Sequence, residues 1–292
     1  MVDGKSPQKN TRVDSKAKKK KLTPGMAALQ VTILLLAAVS VAPILVAVST
    51  SLKSSTELAL NPLGLPQNWR FENYATAWNE AHIGQYLLNS VLVSVPTLIL
   101  VLAVSSAAAY AFAMLRFPGR NLLFGVVLIA LMMPAIGFAT ALSVEQQSMG
   151  LHNTRMGRIL AESAITIPLA MFIMRSSFKD LPGELREAAL IDGGNEFTVF
   201  SRVMLPLARP AMMAVVVLTF LTVWNDYLLP LVLINDEGLR TIPLGLAYLK
   251  STYVSNVVLI AASTILSALP SIGIYVVLQR QFIEGIAQGS IK

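Results

Sequence analysis

Cysteine is absent from the 292 residues, so neither a disulfide framework nor a thiolate metal site is available. There are two histidines, His82 and His152, far apart in the chain, which gives no spacing for a metal centre and no metal is expected. Charge is scarce: 13% of residues are Asp, Glu, Lys or Arg, against about 25% in an average soluble domain. No glycine-rich phosphate loop ending in Lys-Ser/Thr occurs, so the chain itself is not expected to bind ATP or any other cofactor. No Ser/His/Asp set stands in a supporting motif, so no catalytic residues are assigned. What remains is apolar. With 54% hydrophobic residues and a mean hydropathy of +0.63, the chain reads as an all-α integral membrane protein.

Six apolar segments can be marked as spans, at about 28–50, 87–110, 122–141, 158–177, 211–234 and 257–278. Residues 1–27 form a polar, basic tail with Lys16 and Lys18–Lys21, expected to be disordered. The first span follows these lysines as a signal peptide would, but it is long enough to cross a bilayer and is read as an uncleaved anchor. The net charge of +7 comes largely from this tail and calls for no nucleic-acid partner. Six spans put both termini on one side. Of the 23 Lys and Arg residues, 17 fall in the tails and loops of that side, which the positive-inside rule places in the cytoplasm. Pro134, Pro168 and Pro270 can bend spans, and Ser105–Ala111 and Ala261–Ser263 supply small residues for close helix packing. Glu162 is placed near the outer end of the fourth span, at the interface.

The longest hydrophilic run of the second half is the loop 179–209, centred on Glu187-Ala188-Ala189-Leu190-Ile191-Asp192-Gly193 and closing on Leu205-Pro206. It predicts two short helices. Pro182 suits a first turn, Gly193 and Gly194 a left-handed helix end, and Asn195 an N-cap followed by Glu196 at the positive end of the second helix. Pro206 and Pro210 should stop that helix. Leu185, Ala188 and Ala189 share one face, while Phe197, Phe200, Val203 and Met204 form an apolar stripe. Such helices can lie on the membrane, pack on the protein itself, or dock into a partner's groove.

The spacing Glu187-Ala-Ala, three residues, Gly193, nine residues, Val203, one residue, Leu205-Pro206 resembles the EAA loop of ABC importer permeases, departing only by Val203 where isoleucine is usual. Other stretches resemble the sugar-importer branch: Ser51-Leu-Lys53, Leu65-Pro66, Phe71-Glu-Asn-Tyr74, Asn89-Ser90, and Gly150-Leu151 with Asn153-Thr154. The terminal Gly285, Gly289 and Lys292 match that branch's closing signature, with Gln288-Gly-Ser in place of Ala-Gly-Ala. The resemblance covers about 28–292 and is to the maltose-transporter type. It implies the type I permease fold with cytoplasmic termini, in a multi-pass bacterial inner-membrane protein. It also implies a homologous second permease as heterodimer partner, a dimeric ABC ATPase carrying ATP and Mg, and an extracytoplasmic solute-binding protein delivering a di- or oligosaccharide. Glu187, Ala188, Ala189, Asp192, Gly193, Leu205 and Pro206 are then expected to dock the ATPase.

Trp224-Asn225-Asp226-Tyr227 is the second informative stretch. Read as mid-span, an acid there costs on the order of 2.5–3.5 kcal/mol unless paired or wetted, and is functional by default. Amide, carboxylate and aromatic groups suit sugar hydroxyls and a sugar ring, while internal bonding between helices is an equal reading. The stretch also resembles the Trp-Asn-acid-aromatic segment of sugar-importer permeases. The alternative from a different class is a proton-coupled secondary transporter with Asp226 as proton carrier.

Overall fold

The computed structural model describes residues 24–252 and 256–290, and among these every regular element is helical. Residues 1–23 of the expected basic tail, with all its lysines, and residues 291 and 292 fall outside the described residues, while 24–27 of that tail already belong to the first helix. The chain divides into two compact units, Met1–Val46 and Ala47–Lys292. The first contains most of α1 (Pro24–Ser51), whose apolar residues Leu34 to Leu36 and Val39 are all exposed.

In the second unit α2 (Ser55–Leu60) and α3 (Glu72–Asn79) precede the long α4 (Ile83–Met114). Next come α5 (Arg120–Met132), α6 (Ala135–Ser148) and α7 (Arg155–Asp180). The loop helices are α8 (Gly183–Ile191), α9 (Glu196–Thr198), a π-helical turn (Val199–Met204) and α10 (Leu205–Leu207). The chain ends with α11 (Arg209–Asn225), α12 (Leu228–Leu233), α13 (Ile242–Thr252) and α14 (Val257–Ser290).

Four helices are long and apolar enough to span a membrane by themselves: the 24 residues Ala28–Ser51, α4, α7, and Val257–Val276 of α14. The expected six are reached only if two bent pairs each count as one span. The third expected span is broken at Met133-Pro134, where α5 and α6 meet at 108°. Proline lacks the donor and disfavours helix at the residue before it, so Met133 is extended with ψ 131°. The second bent pair is Glu196–Leu207 with Arg209–Asn225, at 77°, and the fifth expected span is itself divided, α11 ending at Asn225 and α12 starting at Leu228. Pro168 and Pro270, by contrast, lie within continuous helices.

The frame of the second unit is the parallel pair α4 and α7, in contact along their length. Both helices bury many small side chains, Ser90, Ser94, Ser105, Ser106 and Ala109 of α4 and Gly157, Ala161, Ser163 and Ala170 of α7. Small residues let two backbones approach where lipid offers no hydrophobic drive to associate. At the end where α4 and α7 finish, Tyr110, Met174 and Phe178 pack with Val199, Met204 and Ala208. At the other end Tyr86, Phe220, Trp224, Ile242, Leu249 and Leu259 form a second cluster. There Gly245 admits the Tyr86 ring, since a Cβ would come within 2.2 Å of it.

Polar side chains tie the segment after α12 to this second end. Asn89 donates to the carbonyls of Gly238 and Arg240 (2.7 and 2.9 Å) and accepts from Arg155 (2.9 Å), while Ser90 Oγ accepts the Ile242 N–H. Asn153, left-handed at φ 58°, accepts the N–H groups of Asn235 and Asp236. Thr154 caps α7. Lys53 is fully buried and donates to the carbonyls of Asn61 and Pro62, while Asn73 donates to those of Ser51 and Lys53. The separated motif residues Ser51, Lys53, Asn73 and Tyr74 therefore meet in one hydrogen-bonded node.

Candidate functional site: the loop knuckle and the α11–α12 break

The loop 179–209 folds as two helices with a sharp reversal. Gly193 adopts φ +87°, the left-handed conformation that a side chain resists, and its N–H returns to the Leu190 carbonyl. Gly194 donates to the Ala189 carbonyl, and a Cβ on it would lie 2.7 Å from that oxygen, so both glycines are required for different reasons. Asn195 Oδ1 accepts the Thr198 N–H at 2.9 Å, which starts the second helix as expected.

An unforeseen clasp holds the two loop helices together. Arg186 of α8 forms an ion pair with Glu196 at the start of α9, and the Tyr110 hydroxyl of α4 donates to the other Glu196 oxygen. The Arg186 guanidinium draws the Glu196 carboxyl below its ordinary value, against a smaller opposing push from burial, with the Tyr110 bond adding to the lowering. Arg186 is raised in turn, chiefly by its bond to Glu196. The helix dipole gave Glu196 a reason to be where it is. Nothing in the local pattern pointed to Tyr110, 86 residues earlier.

The second loop helix corrects the expected stripe. Over Val199–Met204 the helix widens to π, with the Leu205 N–H donating to Phe200 five residues back. Pro206 has no N–H to offer a normal turn, and the extra residue absorbs that loss. The face is thereby re-phased. Val199 and Met204 are fully buried, Phe200 packs beside Tyr110 and Phe178, and Phe197 is 74% exposed. Val203 and Leu205 are half-buried and Pro206 is exposed. The expected apolar face of α8 also turns only partly inward: Ala189 is half-buried, whereas Leu185, Ala188 and Glu187 are exposed with Asp192 and Gly193. Ile191, 85% exposed, joins Phe197 in flanking the reversal. The result is a knuckle with an acid, small residues and two bare apolar side chains. It stands on a clamped base and joins α11 through a 77° bend at Ala208.

At the α11–α12 break, Trp224 is buried and stacked on Phe220 with centroids 5.0 Å apart. Asn225 is exposed and donates to the Leu221 carbonyl. Asp226 is not inside a continuous span. Its two oxygens accept the N–H groups of Leu228 and Leu229, each at 3.2 Å, so it serves the first turn of α12. Tyr227 is 38% exposed. The four residues are thus together in sequence but face different ways.

Glu162 requires a correction. Near the start of α7 it is not open to solvent but 2% exposed, paired with Arg158, itself 1% exposed, at 3.4 Å. Arg158 also donates to Thr241 Oγ1 at 2.6 Å, and Asp226 is near enough to act electrostatically on both Arg158 and Glu162. The bundle buries this charge because cation, two carboxyls and hydroxyl converge from α7, the α11–α12 break and the approach to α13. The i, i+4 spacing of Arg158 and Glu162 was the available signal.

Residues 99–284 match the family model described as binding-protein-dependent transport system inner membrane component. The chain is 39% identical over 262 residues to the diacetylchitobiose uptake system permease protein NgcG of Streptomyces coelicolor, covering 89% of this chain and 87% of that protein. It is 35% identical over 261 residues to the arabinooligosaccharides transport system permease protein AraQ of Halalkalibacterium halodurans, covering 88% and 93%. In fold it is similar to a solved bacterial ABC transporter involved in import of the acidic polysaccharide alginate. The TM-score is 0.78 at 24% identity, over 88% of this chain and 95% of that one.

Proposed function

This chain belongs to the family of binding-protein-dependent transport system inner membrane components, multi-pass transport subunits rather than enzymes, and from that premise we propose that it forms half of the pathway of an ATP-driven importer for a di- or oligosaccharide. The observation that carries the reading is the clamped knuckle. Glu187, Ala188, Ile191, Asp192 and Phe197 stay exposed although α8 and α9 are pinned to the bundle. A rigid, half-apolar projection suits a groove on an ATPase subunit, with Glu187 meeting a basic residue and Ala188 and Ala189 permitting close approach. Leu205 and Pro206 carry the motion into α11 through the bend at Ala208. ATP and Mg would reside on that partner.

The oligosaccharide reading rests on the named cargoes of the relatives. Asn225, Asp226 and Tyr227 are proposed to border the pathway, with Trp224 supporting them from within. The remaining partners are a second, homologous permease and an extracytoplasmic binding protein. The termini and the knuckle are assigned to the cytoplasm, with residues 1–27 a tail and 28–292 the permease. A proton-coupled mechanism is the weaker reading, because Asp226 already caps α12.

The test is oligosaccharide-stimulated ATP hydrolysis by the reconstituted transporter, native against Glu187→Arg. Loss of stimulation together with weaker ATPase assembly is expected. Uptake that persists without any ATPase and follows a proton gradient would refute the proposal.

A further inference from the structure

Beside the base of the knuckle, positive charge collects where α4 ends, α5 begins and α7 ends. Four arginines gather there. Arg116 is exposed, with no hydrogen bond or ion pair among the described residues. Among the described residues Arg120 donates to the Leu115 carbonyl alone. Arg175 donates to the Phe112 carbonyl, and its guanidinium sits 3.8 Å from the centre of the Phe124 ring. Arg186 alone meets a carboxylate, Glu196. The nearby Glu187 leaves the group with an excess of positive charge.

Two cavities of about 360 and 920 Å³ adjoin here and share Arg116, Phe117 and Arg120. The smaller one opens onto Leu122, the first residue of an exposed apolar stripe, Leu122, Val126 and Ile129, running up α5. The stripe follows i, i+4, i+7 spacing, so it is one continuous track about 10 Å long. Uncompensated guanidinium groups at the foot of an apolar, membrane-facing track match a molecule with an anionic head and a hydrocarbon tail.

We propose that this cleft is a binding site for an anionic phospholipid, its phosphate held by Arg116 and Arg120 and an acyl chain lying along Leu122, Val126 and Ile129. The proposal rests on the membrane-spanning character of the chain and on neither the ATPase nor the oligosaccharide reading. Arg175 and Phe124 support the site from behind by fixing the start of α5.

Native mass spectrometry of the intact transporter, purified in a mixture of phosphatidylglycerol and phosphatidylcholine, tests it. Selective retention of phosphatidylglycerol is expected, weakened roughly fivefold by Arg116→Gln and restored by Arg116→Lys. Arg116 has no hydrogen-bond or ion-pair partner among the described residues, so the Gln variant should elute as the native protein does. Equal retention of both lipids, or unchanged retention in Arg116→Gln, overturns the proposal. Displacement of the lipid by soluble glycerol phosphate overturns it too, since a free phosphate would then suffice. Loss of the ATPase subunit from Arg116→Gln with lipid retention intact would instead make the cleft a protein contact.

Discussion

The buried cluster of Arg158, Glu162, Asp226 and Thr241 predicts an asymmetric response to mutation. Arg158 is the cation paired with these groups among the described residues, and both it and Glu162 are sealed from solvent at 1% and 2% exposure. Arg158→Met leaves the Glu162 carboxyl facing Asp226 with no counter-charge. Breaking a buried pair in this way costs about 3–5 kcal/mol. Glu162→Gln is milder, because Arg158 keeps Thr241 and the Asp226 charge and the amide oxygen can still accept. About 1–3 kcal/mol is expected for the weakened bond. The double variant Arg158→Met, Glu162→Met removes both charges together and should be more stable than Arg158→Met alone. Loss of monodisperse protein on heating in detergent ranks the three, at about 2–4 °C per kcal/mol for a chain of this size. If Glu162→Gln falls as far as Arg158→Met, or if the double variant is the least stable, the pairing argument is wrong.

Two further outcomes follow from the knuckle. Gly193→Ala meets open space but must hold φ +87°, costing about 1–2 kcal/mol, whereas Gly194→Ala drives a Cβ into the Ala189 carbonyl. Limited proteolysis should therefore show the loop loosened more by the second change than by the first. The Arg186–Glu196 clasp should respond to acid. Because its folded value is lowered, Glu196 contributes its full stabilisation above its ordinary value of about 4.5 and loses it as pH falls through the lowered one. Glu196→Gln should flatten that part of a protease-protection profile. An unchanged acid dependence would deny the clasp its role.

Elements whose signals lie within a few residues were legible beforehand. Proline, glycine and asparagine placed the loop's two helices and its reversal at Gly193, because capping and left-handed turns are decided locally. The apolar runs of α1, α4, α7 and α14 were visible because lipid demands length and composition alone. The π-turn was not visible. It arises from Pro206 acting within an already packed helix, and a 3.6-residue template has no place for it. The third and fifth spans were each drawn as one segment because hydropathy ignores direction; Pro134, expected as a possible bend, breaks the third, and the fifth breaks at Asp226, whose carboxylate serves the first turn of α12.

Composition, run lengths and local turn chemistry by themselves determined a helical, membrane-spanning chain with a structured polar loop, and the spaced motif was enough to indicate its family. Tertiary structure decided which side chains meet. It joined Tyr110 to Glu196, Asn89 to the backbone at Gly238, and Arg158 to Thr241. These contacts depend on how helices distant in sequence are docked and rotated, and a residue's charge or periodicity cannot specify a partner that only packing brings within 3 Å.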